Sequence, residues 1–342
     1  MSGPTVTVFG AYGHTGKFVV AQLRDRGFVP VLSGRDANKL KELATSYAEL
    51  DTRPASIDDP ASLDRALAGA DAVINCAGPF ATTAPPVIEA ALRAGIPYLD
   101  VTGEIEATLD TFTHFADHAQ AAGVVIVPAM GFFGGLSDLL TTAAMGDWEA
   151  ADEAHIAYGL SNWHPTPGTR AAGAVSQQRR SGRRIRYANG QLEYHQDDLP
   201  ALEWPFPAPV GPRAVVGGFT MADVVTVPSH LSIRDVHNYM TIDAARDVLN
   251  ADTPPPAATD ERGRSAQTFL VDVIVRSGTS ERRAIAQGQD IYAVTAPIVV
   301  EAVDRILMGK TRTAGVASPG KLFDAPDFLR ALSPHVRLDL RP

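Results

Sequence analysis

The sequence holds a single cysteine, Cys76, in 342 residues. That excludes a disulfide framework within the chain and a cysteine-based zinc site. Lysine is scarce, at five of the 30 basic residues, and Lys+Arg fall short of Asp+Glu by 30 to 39, a net charge of −9. Sequence-independent binding of nucleic acid needs a basic excess, so no nucleic-acid partner is expected. No apolar run reaches the roughly 18 residues of a membrane span. The nearest, 123–136, is broken by Pro128 and four glycines. The opening Met1-Ser2-Gly3-Pro4 lacks the basic and apolar regions of a signal peptide. These absences lead to the expectation of a cytoplasmic protein in a reducing compartment, with no membrane partner. What is present is 45% hydrophobic and 20% charged residues. That composition can bury a core, and the length suits about two domains.

The first third alternates. Thr5–Phe9, Pro30–Ser33, Ala72–Cys76, Tyr98–Val101 and Val124–Val127 read as short buried strands. Between them, Thr15–Arg26, Ala37–Ala48, Ser62–Leu67, Ala84–Ala94 and Leu109–Ala122 carry apolar residues at helical spacing. Strand–helix–strand at this pace predicts right-handed βαβ units and a parallel sheet. After about residue 130 the pattern changes. Glu153–Leu160, Val215–Phe219, Val224–Val227, Val236–Ile242, Phe269–Arg276 and Arg282–Ala286 read as strands, and Asn189-Gly190 as a hairpin turn. The fold class expected is α/β: a Rossmann-type doubly wound parallel sheet with an α+β domain built on a mixed or antiparallel sheet. The expected divisions are 1–130, 131–295 and a helical return over 296–342.

Gly10-Ala11-Tyr12-Gly13-His14-Thr15-Gly16 lies between the first strand and the first helix. One glycine permits the tight turn, one lets backbone approach a diphosphate, and one lets the helix pack close to the sheet. The helix N-terminus then offers free N–H groups and its dipole to the phosphates. An ordinary glycine-rich turn is the competing reading. The second strand ends Ser33-Gly34-Arg35-Asp36. Arg35 can pair with a 2′-phosphate, with Ser33 adding a hydroxyl donor and Lys39 a charge, which favours NADP. Asp36 alone would suit NAD. Cys76, Ala77, Gly78 and Phe80 end the next strand, and Gly103 ends the one after. Both places lie at the carboxyl edge of a parallel sheet, where ligands bind.

Taken together, Gly10/Gly13/Gly16, Cys76–Phe80, Tyr98–Glu104 and Pro128–Asp138, in that order, resemble the saccharopine dehydrogenase-like NAD(P)-binding reductases. The resemblance covers about residues 5–140. It implies hydride transfer to or from a C=N, C=O or C=C bond, a second domain inserted in the chain, and last helices that pack back on the Rossmann domain. Members that reduce amino-acid imines often have Tyr where this chain has Phe80, so that proton donor is missing. A short-chain dehydrogenase mechanism is rejected because no tyrosine has Lys four residues on.

Hydride transfer also needs a proton donor. Asp100 and Glu104 stand at a strand end beside the expected nicotinamide; capping a helix is their other reading. His237 and Tyr239 share one face of a strand in the second domain and are further candidates. His14 is expected to contact the cofactor, and Asp138 to cap the helix that follows it. No His or acid cluster has metal-ligand spacing. Five arginines lie between Arg179 and Arg186. They suit either an anionic ligand or a solvated hairpin edge. The expected function is NADP-dependent reduction of a C=O or C=N bond in a small polar metabolite, amino-bearing ones included, by a protein that can form a homodimer. A non-catalytic NADP sensor and a C=C reductase are the alternatives.

Overall fold

The structure, a computed structural model, describes residues 3–47 and 49–341. Its first unit alternates as expected: β1 (Thr5–Phe9), α1 (His14–Asp25), β2 (Val29–Gly34), α2 (Ala37–Thr45), β3 (Thr52–Pro54), α3 (Pro60–Leu67), β4 (Ala72–Asn75), α4 (Phe80–Ala94), β5 (Tyr98–Asp100), α5 (Ile105–Ala122) and β6 (Val125–Val127). The helix expected over 37–48 ends at Thr45, and Ala48 lies outside the described residues. Asp36 and Asp59 accept N–H bonds from the first turns of α2 and α3 and fix where those helices start. β1 and β4 are buried and rich in β-branched residues, as a sheet covered on both faces requires.

An irregular turn, Phe132–Leu136, leads into α6 (Ser137–Met145) and the second unit. There follow β7 (Ala150–Leu160), α7 (Pro167–Arg179), β8 (Arg184–Ala188), β9 (Gln191–His195), β10 (Ala201–Trp204), β11 (Arg213–Gly217), α8 (Asp223–Thr226), β12 (Ser232–Thr241), α9 (Ile242–Leu249), β13 (Thr268–Ser277) and β14 (Ser280–Gln289). The chain ends with α10 (Thr295–Leu307), β15 (Gly315–Val316), α11 (Pro319–Leu322), α12 (Ala325–Ala331) and β16 (Val336–Arg341).

Seven strands form a parallel sheet in the order β15-β6-β5-β4-β1-β2-β3. The direction of winding reverses between β1 and β4, so a crevice opens at their carboxyl ends. The second sheet runs β10-β11-β12-β7-β13-β14-β16, with β8 and β9 attached beside β12. It is mixed, because β12 runs parallel to β7 while the other neighbours are antiparallel. The stretch 296–342 divides between the units. β15 extends the first sheet, β16 closes the edge of the second, and α10 is tied to α1 by an Arg26–Glu301 ion pair at 2.6 Å.

Residues 224–227 were expected as a strand and form α8 instead. The reason is Asp223, fully buried, whose carboxylate accepts from Gly134 N at 2.9 Å, Tyr158 OH at 2.8 Å, Asn238 Nδ2 at 2.9 Å and the Ser137 hydroxyl. Local pattern cannot see such a long-range anchor. Asp138 does not cap α6. It accepts from Gly320 N at 2.7 Å and meets His230 Nε2 at 2.8 Å, fastening the C-terminal segment to α6. Substituting Asp223→Ala would leave those four donors without an acceptor. A loss of about 3–5 kcal/mol in unfolding free energy is expected in urea titration, against under about 0.5 for the exposed Leu249→Ala.

Candidate functional site

The site is built where the two units face each other. A cleft of about 1690 Å³ runs from the 10–16 loop, past the ends of β4 and β5, to Trp163, α7 and α9. At its dinucleotide end, backbones approach closely. Gly10 has φ +87°, and a Cβ there would stand 2.8 Å from Ala77 N. A Cβ on Gly16 would stand 2.2 Å from the Gly10 carbonyl oxygen, so only glycine lets α1 start this near β1. Gly13 donates to Gly10 O at 2.9 Å and is the N-cap of α1. No side chain caps α1, so its leading amides have no partner within the helix and face the cleft. Tyr12, Gly13, His14 and Thr15 line the cleft. The His14 ring sits edge-on to Phe18 at 5.4 Å and to Tyr292 at 5.2 Å. Burial pushes its pKa below the usual histidine value, with the Asp290 carboxylate opposing. Its Nε2 is buried without a hydrogen-bond partner among the described residues.

At the end of β2 the residues separate into those that face the cleft and one that does not. Gly34, Arg35 and Lys39 line it. Neither Arg35 nor Lys39 has an ion pair among the described residues, and Lys39 Nζ lies 5.7 Å over the Tyr12 ring. Asp36 Oδ1 accepts from Asn38 N and Lys39 N at 3.0 and 3.1 Å, capping α2, and Asp36 does not line the cleft. Ser33 is corrected. It is fully buried and its hydroxyl donates to Arg53 O at 2.8 Å, so it gives nothing to a 2′-phosphate. Uncapped amides, an unpartnered imidazole nitrogen and two unpaired cations are a donor set that fits a dinucleotide bearing an extra phosphate.

The floor of the cleft is held by a buried polar chain. Asn75 Nδ2 donates to Thr83 Oγ1 and to Tyr98 OH, both at 3.2 Å, and Asn75 Oδ1 accepts from Ala77 N at 3.0 Å. Tyr98 OH donates to Asp100 Oδ2 at 3.0 Å. Asp100 Oδ1 accepts from Thr102 N at 3.1 Å and Ala129 N at 2.9 Å. Asp100 is therefore corrected as a catalytic candidate: it is 1% exposed and stitches the ends of β5 and β6 beneath the cleft. Burial raises its pKa to about 6 against the pull of those donors. Sequence reasoning passed over Asn75 and Tyr98; a polar residue at the last position of an apolar strand was the available signal.

Glu104 does line the cleft, beside Phe80 and Gly103. Its two oxygens accept from Phe80 N at 2.7 Å and Ala81 N at 3.0 Å, so it caps α4 from across the floor and holds the Cys76–Phe80 turn in place. Burial pushes its pKa to about 7, with the two N–H donors opposing and Asp100 and Glu106 adding to the rise. Cys76, Ala77 and Gly78 line the same stretch of wall, and burial pushes the pKa of the Cys76 thiol well up.

The second unit supplies an aromatic wall. Trp163 stacks on Phe133 at 5.0 Å and meets Phe219 at 6.1 Å, and Met221 lies over Gly103. Tyr292 ties this wall to the loop. Its hydroxyl meets Trp163 Nε1 at 3.0 Å and Thr169 Oγ1 at 2.9 Å, while its ring touches His14. His237 and Tyr239 are corrected, since they lie on the far face of the second sheet. There the rings of His237 and Tyr239 stack on His155 at 4.9 and 5.9 Å, and Tyr239 packs on Trp204 at 4.7 Å. Neither lines the cleft. The strand parity was right, but the sequence held no sign of which face looked inward. No group of three or more His, Cys, Asp or Glu placed to hold a metal occurs among the described residues, nor any helix long and apolar enough to cross a membrane.

A raised carboxyl pKa has a definite stability signature. Glu104 keeps its proton in the folded chain up to about pH 7, whereas the free side chain releases it near 4.5. Its contribution to stability is therefore full in acid and is lost as pH rises between those values. Wild type should lose up to about 3 kcal/mol of stability relative to Glu104→Gln from pH 4.5 to 8. Denaturant titrations at several pH values check this; a pH-independent difference would mean that Glu104 is ionised throughout.

Comparison with known proteins agrees with this geometry. Residues 6–127 match the family model of the saccharopine dehydrogenase NADP binding domain. A probable mitochondrial saccharopine dehydrogenase-like oxidoreductase of Arabidopsis thaliana is 32% identical over 142 residues, 37% of this chain and 31% of that protein. The saccharopine dehydrogenase-like oxidoreductase of Mus musculus is 28% identical over 145 residues, 37% of this chain and 34% of that one. A trans-acting enoyl reductase of Mycobacterium bovis is 28% identical over 140 residues, covering 39% and 34%. The match thus spans about a third of the length of these curated relatives. Among solved structures, saccharopine dehydrogenase (L-Glu forming) of Saccharomyces cerevisiae superposes with a TM-score of 0.65 at 12% identity, over 99% of this chain and 100% of that one, which shows a shared fold. The expectation of a cytoplasmic location is overturned, because relatives are named as mitochondrial or, in Caenorhabditis elegans, as lipid droplet localized, which points away from plain cytoplasm. Residues 6–127 are thus similar to the NADP binding domain of saccharopine dehydrogenase.

Proposed function

We propose that the protein is an NADPH-dependent reductase of a largely apolar substrate carrying a polarised double bond, either C=O or a C=C bond conjugated to a carbonyl. The observation that carries this reading is the wall facing the ends of β4 and β5, made by Phe133, Trp163, Phe219 and Met221. An amino-bearing substrate would call for unengaged carboxylates there. The two acids of that stretch are committed, Glu104 to the amides of α4 and Glu106 to Arg180 at 2.9 Å. The enoyl reductase among the relatives is consistent with an apolar substrate.

In this reading the free amides of α1 and His14 hold the diphosphate, and Arg35 and Lys39 hold the 2′-phosphate. Bound NADPH supplies the hydride. Tyr292, Trp163 and Thr169 keep the aromatic wall against the loop and exclude water from the reacting carbon. Glu104, with both oxygens held by Phe80 N and Ala81 N, keeps the Cys76–Phe80 turn in place against the cleft, and the proton that completes the reduction comes from solvent.

Two measurements test this. NADPH oxidation, followed by absorbance, is expected with apolar 2-enals, 2-enones and ketones and not with amino ketones or cyclic imines. Tight NADPH binding without turnover on any of them would instead support a sensor role. Arg35→Ala should weaken NADPH by about tenfold or more while leaving NADH affinity within about twofold. Equal weakening of both coenzymes would remove Arg35 from the 2′-phosphate.

A further inference from the structure

The five arginines between α7 and β8 are not equivalent. Arg179 pairs with Asp110 at 2.7 Å, Arg180 with Glu106 at 2.9 Å, and Arg186 with Glu193 and Asp197 at 3.1 and 2.8 Å. Arg183 and Arg184, between them in sequence, have no carboxylate partner among the described residues. The Arg183 guanidinium packs over the Tyr194 ring at 4.5 Å and donates to the Arg180 carbonyl, while Arg184 donates to the carbonyl oxygen of Asp197. Both residues line the cleft. A hairpin edge that merely blunts strand pairing would not need two unneutralised charges beside a ligand cavity, least of all in a chain of net charge −9.

The same cleft runs along Val216, Ala245, Val248 and Leu249, and Leu249 is left 77% exposed. Its volume of about 1690 Å³ exceeds the roughly 300–1,000 Å³ that serves one drug-sized ligand. It therefore has space for a dinucleotide and a second extended molecule. An apolar lane with an unneutralised pair of guanidiniums calls for an amphiphile with an apolar chain and a phosphate.

We infer that the substrate is a phosphate-bearing 2-enoyl thioester, its acyl chain along the apolar lane and its phosphate on Arg183 and Arg184. This rests on the reductase reading above and names its substrate class. A thioester supplies the conjugated carbonyl that the reduction needs, and the carriers of acyl thioesters bear the phosphate that the two arginines would hold. Hydride adds to the β-carbon, the π electron pair moves through the α-carbon onto the thioester oxygen, and a proton then adds at the α-carbon. NADPH is oxidised, the enoyl group is reduced, and the proton comes from solvent. An isolated double bond in a phospholipid chain has no carbonyl to take up that pair.

The test compares 2-dodecenoyl-coenzyme A with the N-acetylcysteamine thioester of the same acid, which lacks phosphate. The expected result is a KM at least about tenfold lower for the coenzyme A thioester at low salt, rising with ionic strength, while the neutral thioester responds little. Arg183→Ala/Arg184→Ala should raise KM at least about tenfold more for the phosphate-bearing thioester than for the neutral one. The salt series on the wild-type protein stands even where that variant does not fold. Equal KM values without salt dependence would overturn the inference, as would a matching loss of NADPH affinity in the variant. If neither thioester oxidises NADPH the inference also falls; turnover of apolar enals and ketones would then leave the reductase reading standing, and its absence would remove both.

Discussion

The structure depends on how closely two strand ends approach at the point where the parallel sheet changes its direction of winding. The Gly10 backbone lies so near Ala77 that no side chain fits between them. That contact is possible because the buried chain of Thr83, Asn75, Tyr98 and Asp100 fixes the ends of β4, β5 and β6 from below. Polar groups buried this way are costly unless every partner is supplied, so the network tolerates essentially one arrangement of those strand ends. The uncapped start of α1, the Cys76–Phe80 turn and the Glu104 carboxylate then take their places around a single cleft. Glu104 belongs to both layers, since it caps α4 and also forms part of the wall.

The second unit completes the cleft by packing. Phe133, Trp163 and Phe219 form a ring ladder held to the phosphate loop through Tyr292, which touches His14 with its ring and Trp163 and Thr169 with its hydroxyl. This linkage places an apolar surface opposite the strand ends. It also makes the loop and the wall one mechanical body, so that whatever orders the loop orders the wall with it. The anchors of Asp223 and Asp138 hold that body to the second sheet and to the C-terminal segment.

The first unit was legible in the sequence because its information is local. β-branched runs, capping aspartates and the spacing of Gly10, Gly13 and Gly16 each specify a nearby backbone geometry, and the fold and the loop follow from them. The second unit was legible as local elements, not as a site. That no residue of β12 lines the cleft is decided by partners far along the chain, so pattern alone made His237 and Tyr239 site candidates and passed over Trp163 and Tyr292. Asp100 and Ser33 show the same limit from the other side. Each occupies a position where ligands gather, yet hydrogen bonds to Tyr98, Thr102 and Ala129 in one case, and to Arg53 in the other, have already used it. The sequence left a small polar substrate and a C=C reductase as alternatives, and the proposal of an apolar substrate rests on the aromatic wall, which pattern alone did not reveal.

The central claim is that a dinucleotide lies between the α1 loop and the aromatic wall. Hydrogen exchange followed by mass spectrometry, with and without NADPH, tests it most directly. The account predicts slowed exchange in peptides covering 10–17, 76–81 and 163–169, with β12 unaffected. Unchanged exchange over 10–17, or protection centred on β12, would contradict it.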